Sequence, residues 1–128
     1  MRGRRSIALV GGLTALILTA APLASANDAD VIRQGSCSGR SDWKLKLSPE
    51  DGRIEVEYEV DQNRVGDTWK IRLKHDGTRF FRGKRTTKGP SGSFELRRVE
   101  PNHRGKDRFR AKAVNLRTGQ VCRGRAGF

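Results

Sequence analysis

From Trp43 to the C-terminus the chain alternates apolar and polar residues with a period of two. That period puts one face of an extended strand in a core and the other in water, and it excludes an amphipathic helix of useful length. Ile54, Val56, Tyr58 and Val60 alternate with Glu55, Glu57 and Glu59; Trp43, Leu45 and Leu47 alternate with Lys44 and Lys46; Trp69, Ile71 and Leu73 alternate with Lys70, Arg72 and Lys74. "SPEDG" and "DQNRVGD" carry turn chemistry, and Asp76-Gly77 is a favoured two-residue hairpin turn. Residues 79–87 read as a fourth, less regular strand. Phe94 and Leu96 open a fifth, Phe109, Ala111 and Ala113 mark a sixth, and residues 121–128 form a seventh. Seven short strands with turn signals every 8–12 residues or so predict an all-β fold, a seven-stranded antiparallel sandwich of two layers.

The first residues have a different character. Arg2, Arg4 and Arg5 precede an apolar stretch, Ile7 to Leu18, and "APLASA" follows with Ala24 and Ala26 in the small-residue positions of a cleavage site. This is the pattern of a secretory signal, cut after Ala26, and the apolar run is shorter than the ~20 residues that span a bilayer. The expected organisation is a signal peptide over residues 1–26, a polar lead-in over 27–40 and the sandwich over 41–128. The expected location is secreted and extracellular, without stable membrane insertion. Cys37 and Cys122 are the only cysteines. In an exported chain two thiols are expected to form one disulfide bond, and with two histidines in the sequence no four-ligand zinc site is expected. The formal charge is +13, of which the leader arginines supply three, so a basic protein remains after cleavage. Such an excess favours acidic partners.

The last third of the chain, "FELRRVEPNHRGKDRFRAKAVNLRTG", resembles the E–F corner and F–G hairpin of immunoglobulin-like and fibronectin type III-like domains. Val99 and Pro101 precede the corner, Phe109 follows Asp107 where such domains open strand F with an aromatic, and Ala111 and Ala113 continue at alternate positions. Asn115 and Gly119 form the hairpin. Trp69 stands where strand C of immunoglobulin domains carries its core tryptophan. The chain departs from the pattern in having Phe109 in place of the corner tyrosine, and in placing its cysteines away from strands B and F. The resemblance implies an immunoglobulin-like fold, with strands C, F and G adjacent in one sheet, and it carries no catalytic residue. The leader and the Arg/Ala/Gly-rich composition are also similar to those of small exported proteins of actinobacteria.

Enzyme signatures are absent: no Gly-rich phosphate loop and no nucleophile elbow occur. His75 and His103 read as solvated side chains with no third group implied by spacing. The protein is therefore read as a non-enzyme without cofactor. Glu55, Glu57 and Glu59 face Lys44, Lys46 and Arg97 in the expected sheet, which reads as cross-strand ion pairing. Phe80 and Phe81 are neighbours on a strand, so one is expected in the core and the other outside among Arg79, Arg82, Lys84 and Arg85, either as an edge aromatic shielded by arginine stems or as a stacking platform beside cations. The remaining feature is a concentration of cations. Lys70, Arg72, Lys74, Arg108, Arg110, Lys112, Arg123 and Arg125 all fall on the outward phase of strands C, F and G. They form a candidate anion-binding face for a binding module whose partner is an acidic polymer, either a cell-wall polyanion or nucleic acid, or else an acidic protein. A monomer is expected. Two other classes stay open: a secreted enzyme inhibitor acting through "KGPSG" or "EPNHRGKD", and a structural envelope-associated protein.

Overall fold

The computed structural model describes residues 29–128, all of whose regular elements are strands; the signal peptide expected over residues 1–26 lies outside the described residues. Eight strands follow in order: β1 (Val31–Ser36), β2 (Asp42–Glu50), β3 (Arg53–Asp61), β4 (Thr68–His75), β5 (Thr78–Thr86), β6 (Ser93–Pro101), β7 (Arg108–Asn115) and β8 (Val121–Gly127). They form two four-stranded sheets with orders β1-β2-β3-β6 and β5-β4-β7-β8, and every pairing is antiparallel. The extra strand relative to the seven expected is β1. It lies inside the segment read as a polar lead-in, which its composition hides: only Val31 and Gly35 of its inward phase are small or apolar, and Arg33 lies between them. β1 nevertheless pairs along its whole length with β2, from Val31 opposite Leu47 to Ser36 opposite Asp42.

The alternation places the core as expected. Leu45, Leu47, Ile54, Val56, Tyr58, Val60 and Leu96 from one sheet meet Trp69, Ile71, Leu73, Phe109, Ala111 and Ala113 from the other, all buried. Burial of each large side chain is worth roughly 1.5–3 kcal/mol, so a core of this size is the main stabilising contribution. β7 and β8 line their inner face with small residues, Ala111, Ala113, Gly124 and Ala126, and these leave room for large rings from the facing sheet. Trp43 is the ring that lies over Gly124. The buried Tyr58 hydroxyl donates across the core to the Cys122 carbonyl at 3.1 Å, and burial pushes its phenol well above the usual range.

Cys37, in the β1–β2 connection, is disulfide-bonded to Cys122 of β8, so the bond joins the two sheets. Beside it the Ser38 amide donates to the Val121 carbonyl at 2.8 Å, and the Val121 amide donates to Ser38 Oγ at 2.9 Å. A buried disulfide belongs to an oxidising environment. At one end of the sandwich the buried Asp67 carboxylate accepts from Arg117 Nε and Nη2 at 2.9 and 2.8 Å, from Asn115 at 3.0 Å and from Gln62 at 2.5 Å. These donors, Arg117 first, hold its carboxyl far below the ordinary carboxylate range. The same Gln62 side chain accepts from the Trp69 indole at 3.0 Å. The β3–β4 and β7–β8 connections are thereby fixed to each other and to the core residue Trp69.

Candidate anion-binding face

The two sheets carry different outer surfaces. β2, β3 and β6 mix acids with bases, and these pair: Lys44 with Glu59 at 3.6 Å, Lys46 with Glu57 at 4.0 Å, and Arg97 with Glu55 and Glu50 at 2.7 and 2.9 Å. In contrast, β4, β5, β7 and β8 contain twelve Lys and Arg and no Asp or Glu. An acid-free sheet cannot neutralise its own outer face, so any counter-charge must come from elsewhere.

The register arranges these cations in rows. Arg82, Arg72, Lys112 and Arg123 stand directly opposite one another across β5, β4, β7 and β8. The next row is Arg79, Lys74, Arg110 and Arg125. Lys84 and Lys70 begin a third row that ends in Val114 and Val121, and Arg108 extends the face beyond the second. All eight sequence-derived cations therefore share one surface, and β5 adds Arg79, Arg82 and Lys84 to it. None of the eight forms an ion pair with a described residue, whereas the opposite sheet pairs Lys44, Lys46 and Arg97. Strands lie ~4.8 Å apart and same-face residues ~6.7 Å apart along a strand, so each head group has several neighbours within a Debye length of ~8 Å. Two unit charges 4 Å apart in water repel by about 1 kcal/mol. Long side chains that splay outward reduce this to a tolerable load, but directly opposed like charges still destabilise a sheet. A shallow groove follows Arg72, Lys74, Arg110, Lys112, Arg123 and Arg125, and curves around β8 to Arg33 and Trp43.

Neither Phe80 nor Phe81 stands on the outer face, and arginines cover the ring of Phe81. Phe81 lies opposite Leu73 on the inward phase, and a bulge between Leu73 and Lys74 leaves Phe80 as the extra residue. The bulge breaks the alternation, so both consecutive rings turn toward the core. Phe80 meets His75 and Phe109 edge-on at 6.4 and 6.1 Å, and Phe81 lies under Arg98 at 4.5 Å and Arg85 at 5.4 Å. The outer face is thus charged without an aromatic on it.

His75 also differs from its expected place in solvent. It is buried at the end of β4, with Nδ1 3.1 Å from Glu100 and Nε2 2.6 Å from Asp107. Its ring stacks between His103 and Phe109 with centroids 4.3 and 4.2 Å away. His103 is half-exposed in the β6–β7 connection, 2.8 Å from Asp76. That contact raises His103 above its ordinary value and, with the Arg108 amide, lowers Asp76. The third groups that spacing did not imply are supplied by the fold: Asp107 and Glu100 reach His75 from 32 and 25 residues away. A local signal existed in the hairpin dipeptide after His75 and in the four-residue spacing of His103 and Asp107. Without the sheet register, nothing joins the two pairs.

No protein family, curated protein or solved structure matches this chain.

Proposed function

We propose that this chain is an exported, disulfide-stapled binding module that holds an acidic polymer on the outer face of β5, β4, β7 and β8. The observation that carries the reading is the pair of four-cation rows on an acid-free sheet. Such a surface loses free energy to its own repulsion and recovers it when a polyanion supplies counter-charge. Binding would release counterions from the polymer, so affinity should fall steeply with salt. The face offers no outward aromatic for base stacking and no acid to orient a ligand, which favours recognition of charge over recognition of sequence. An immunoglobulin-like or fibronectin type III-like assignment is supported by the strand order. With β2 as A, β3 as B, β4 as C, β5 as C′, β6 as E, β7 as F and β8 as G, the sheets read A-B-E and C′-C-F-G, with β1 added at the edge beside A. Export is supported by the leader pattern of the first 26 residues and by the disulfide.

The test compares two charge reversals of equal size. Arg110→Glu with Lys112→Glu places acids in the middle of both rows; Arg40→Glu with Arg53→Glu changes exposed cations away from the face. Binding to heparin and to single-stranded DNA is measured across a salt series. The first variant should bind much more weakly. Its dependence of log affinity on log salt should flatten by about 0.7 for each phosphate of the single strand that the face no longer neutralises. Equal losses of affinity in both variants would assign binding to net charge and refute a specific face.

A further inference from the structure

Five side chains converge at the end of the sandwich where β4 turns into β5 and the β6–β7 connection crosses it, and the anion-binding reading uses none of them. We propose that His75, Asp76, His103 and Asp107 bind one divalent transition-metal ion, with zinc the ion their donor set fits. Four donor atoms, His75 Nε2, Asp76 Oδ2, His103 Nδ1 and Asp107 Oδ1, all lie within 4.8 Å of one another. Going around the set, the separations are 2.6 Å from His75 to Asp107, 3.4 Å from Asp107 to His103, 2.8 Å from His103 to Asp76 and 3.6 Å from Asp76 to His75. Zinc takes nitrogen and oxygen ligands at ~2.0–2.1 Å, which places the corners of its tetrahedron ~3.3–3.4 Å apart. The observed edges straddle that spacing. Two imidazoles with two carboxylates suit zinc, whereas calcium and magnesium prefer sets made of oxygen alone.

Three further observations point to a cation. Asp107 is fully buried, and its Oδ2, the oxygen outside the four-atom set, has no hydrogen-bond partner, so the carboxylate has a second oxygen free to share a bound cation. His75 has carboxylates on both ring nitrogens. A neutral imidazole has a single N–H, so when Nδ1 donates to Glu100 the lone pair of Nε2 faces Asp107 Oδ1 at 2.6 Å. A shared proton fits that 2.6 Å gap, and a zinc ion would replace it beside the pair, with the two atoms opening to the ~3.3 Å of a tetrahedral edge. Finally, a metal-bearing histidine characteristically donates its other N–H to a carboxylate, which fixes its tautomer, and Glu100 occupies that position. Backbone amides orient both acids: Arg108 N–H donates to Asp76 Oδ1 at 2.8 Å and His103 N–H to Asp107 Oδ1 at 3.1 Å.

The two imidazoles are stacked at 8°, so their donor nitrogens lie side by side. Loading therefore requires one ring to tilt. His75 is held by Phe109 and Glu100, while His103 is half-exposed on its connection, so His103 is the ring that moves. Asp76 and His103 also leave an entry path from solvent.

The test is a titration of tag-free protein with zinc chloride in non-chelating buffer at neutral pH, followed by calorimetry and by the histidine ring protons in NMR. One equivalent should bind, and the His103 resonances should shift as the stack opens. His103→Ala and Asp76→Asn, both at exposed positions, should each weaken binding by at least about tenfold, and Glu100→Ala by roughly 10–100-fold, the usual cost of losing an outer partner. Unchanged thermal unfolding of the metal-free His103→Ala variant separates loss of a ligand from loss of fold. Heparin binding by the face is followed in the same samples and should be unaffected by His103→Ala, so the two proposals fail separately. Absence of saturable uptake, or equal uptake by wild type and the Asp76→Asn, His103→Ala double variant, would show that protons alone hold the cluster and overturn the assignment.

Discussion

Trp43 is wedged between two glycines. A Cβ on Gly35, its neighbour in the same sheet, would come within 3.1 Å of the indole; one on Gly124, in the facing sheet, would lie 2.8 Å from Cε3 and Cζ3. The ring therefore closes the edge of the sandwich where β8 meets β1 and β2, and it can do so only because β8 has no side chain there. Gly124→Ala should displace it and destabilise the fold by about 1–3 kcal/mol, as overpacking does. Denaturant unfolding gives the stability, and tryptophan emission gives the cause: Trp69 is fully buried and stays dark to the change, so a red shift reports Trp43 moving into water. A neutral substitution would mean that the ring can swing away at no cost. Gly92 is constrained in a different way. It is buried with φ of 70°, and a Cβ there would meet the backbone of Arg64. Since neither the left-handed conformation nor a backbone neighbour can give, Gly92→Ala should cost roughly 2 kcal/mol or more.

Pairing of β3 with β6 is sensitive to acid. Arg97 donates to Glu55 at 2.7 Å, and this bond, ahead of contacts from Glu50 and Glu57, holds the Glu55 carboxyl down at about 2. Its neighbour Glu57 moves the other way, raised by Glu55 and by burial. A carboxyl whose folded value lies below its ordinary 4.5 contributes stability above that pH and loses it as pH falls from 4.5 toward about 2. Arg97→Ala should return Glu55 toward its ordinary value and remove that part of the acid dependence. An NMR titration of the Glu55 carboxyl carbon, paired with urea midpoints across this range, checks both; an unmoved Glu55 titration would mean Arg97 is not its partner in solution. These pairs were legible in the sequence because period two assigns faces without knowledge of neighbours: once Glu55, Glu57 and Glu59 point outward, they must meet whatever cations the adjacent strands present. The cation face is legible by the same logic, without its register. Legibility ends where the period is interrupted or diluted. The bulge at Phe80 turns two consecutive rings inward, and β1 carries too few apolar residues to announce itself. The histidine cluster is hidden for a further reason, because His75, Glu100 and Asp107 are brought together by pairing across two sheets and have no common local pattern.

At the scale of the whole molecule, stability and the proposed function make opposite demands on one sheet. The disulfide spans 85 residues, and in the chain-entropy account a loop of that size is worth about 4–5 kcal/mol. It lets a modest core tolerate a face of unneutralised charge. Replacing both cysteines with alanine should lower stability by a few kcal/mol while leaving heparin affinity of the folded fraction unchanged, because the cross-link lies on the inward phase of β8 and the cations on the outward phase. The cations themselves give the sharper contrast. Arg110 stands between Lys74 on β4 and Arg125 on β8. Arg110→Glu would replace two opposed like-charge pairs with two opposite-charge ones, each worth roughly 0.2–1 kcal/mol. The variant should therefore be more stable than the natural protein, by about 0.5–2 kcal/mol at low salt, and this gain should shrink as salt screens the face. It should also bind heparin more weakly. Urea unfolding at low and physiological salt, run beside the binding measurement, reads both quantities from the same samples. A row kept for the fold would lose stability on this substitution. A row kept for a ligand gains stability and loses affinity, and a variant that is both less stable and equally tight in binding would remove the case for a functional face.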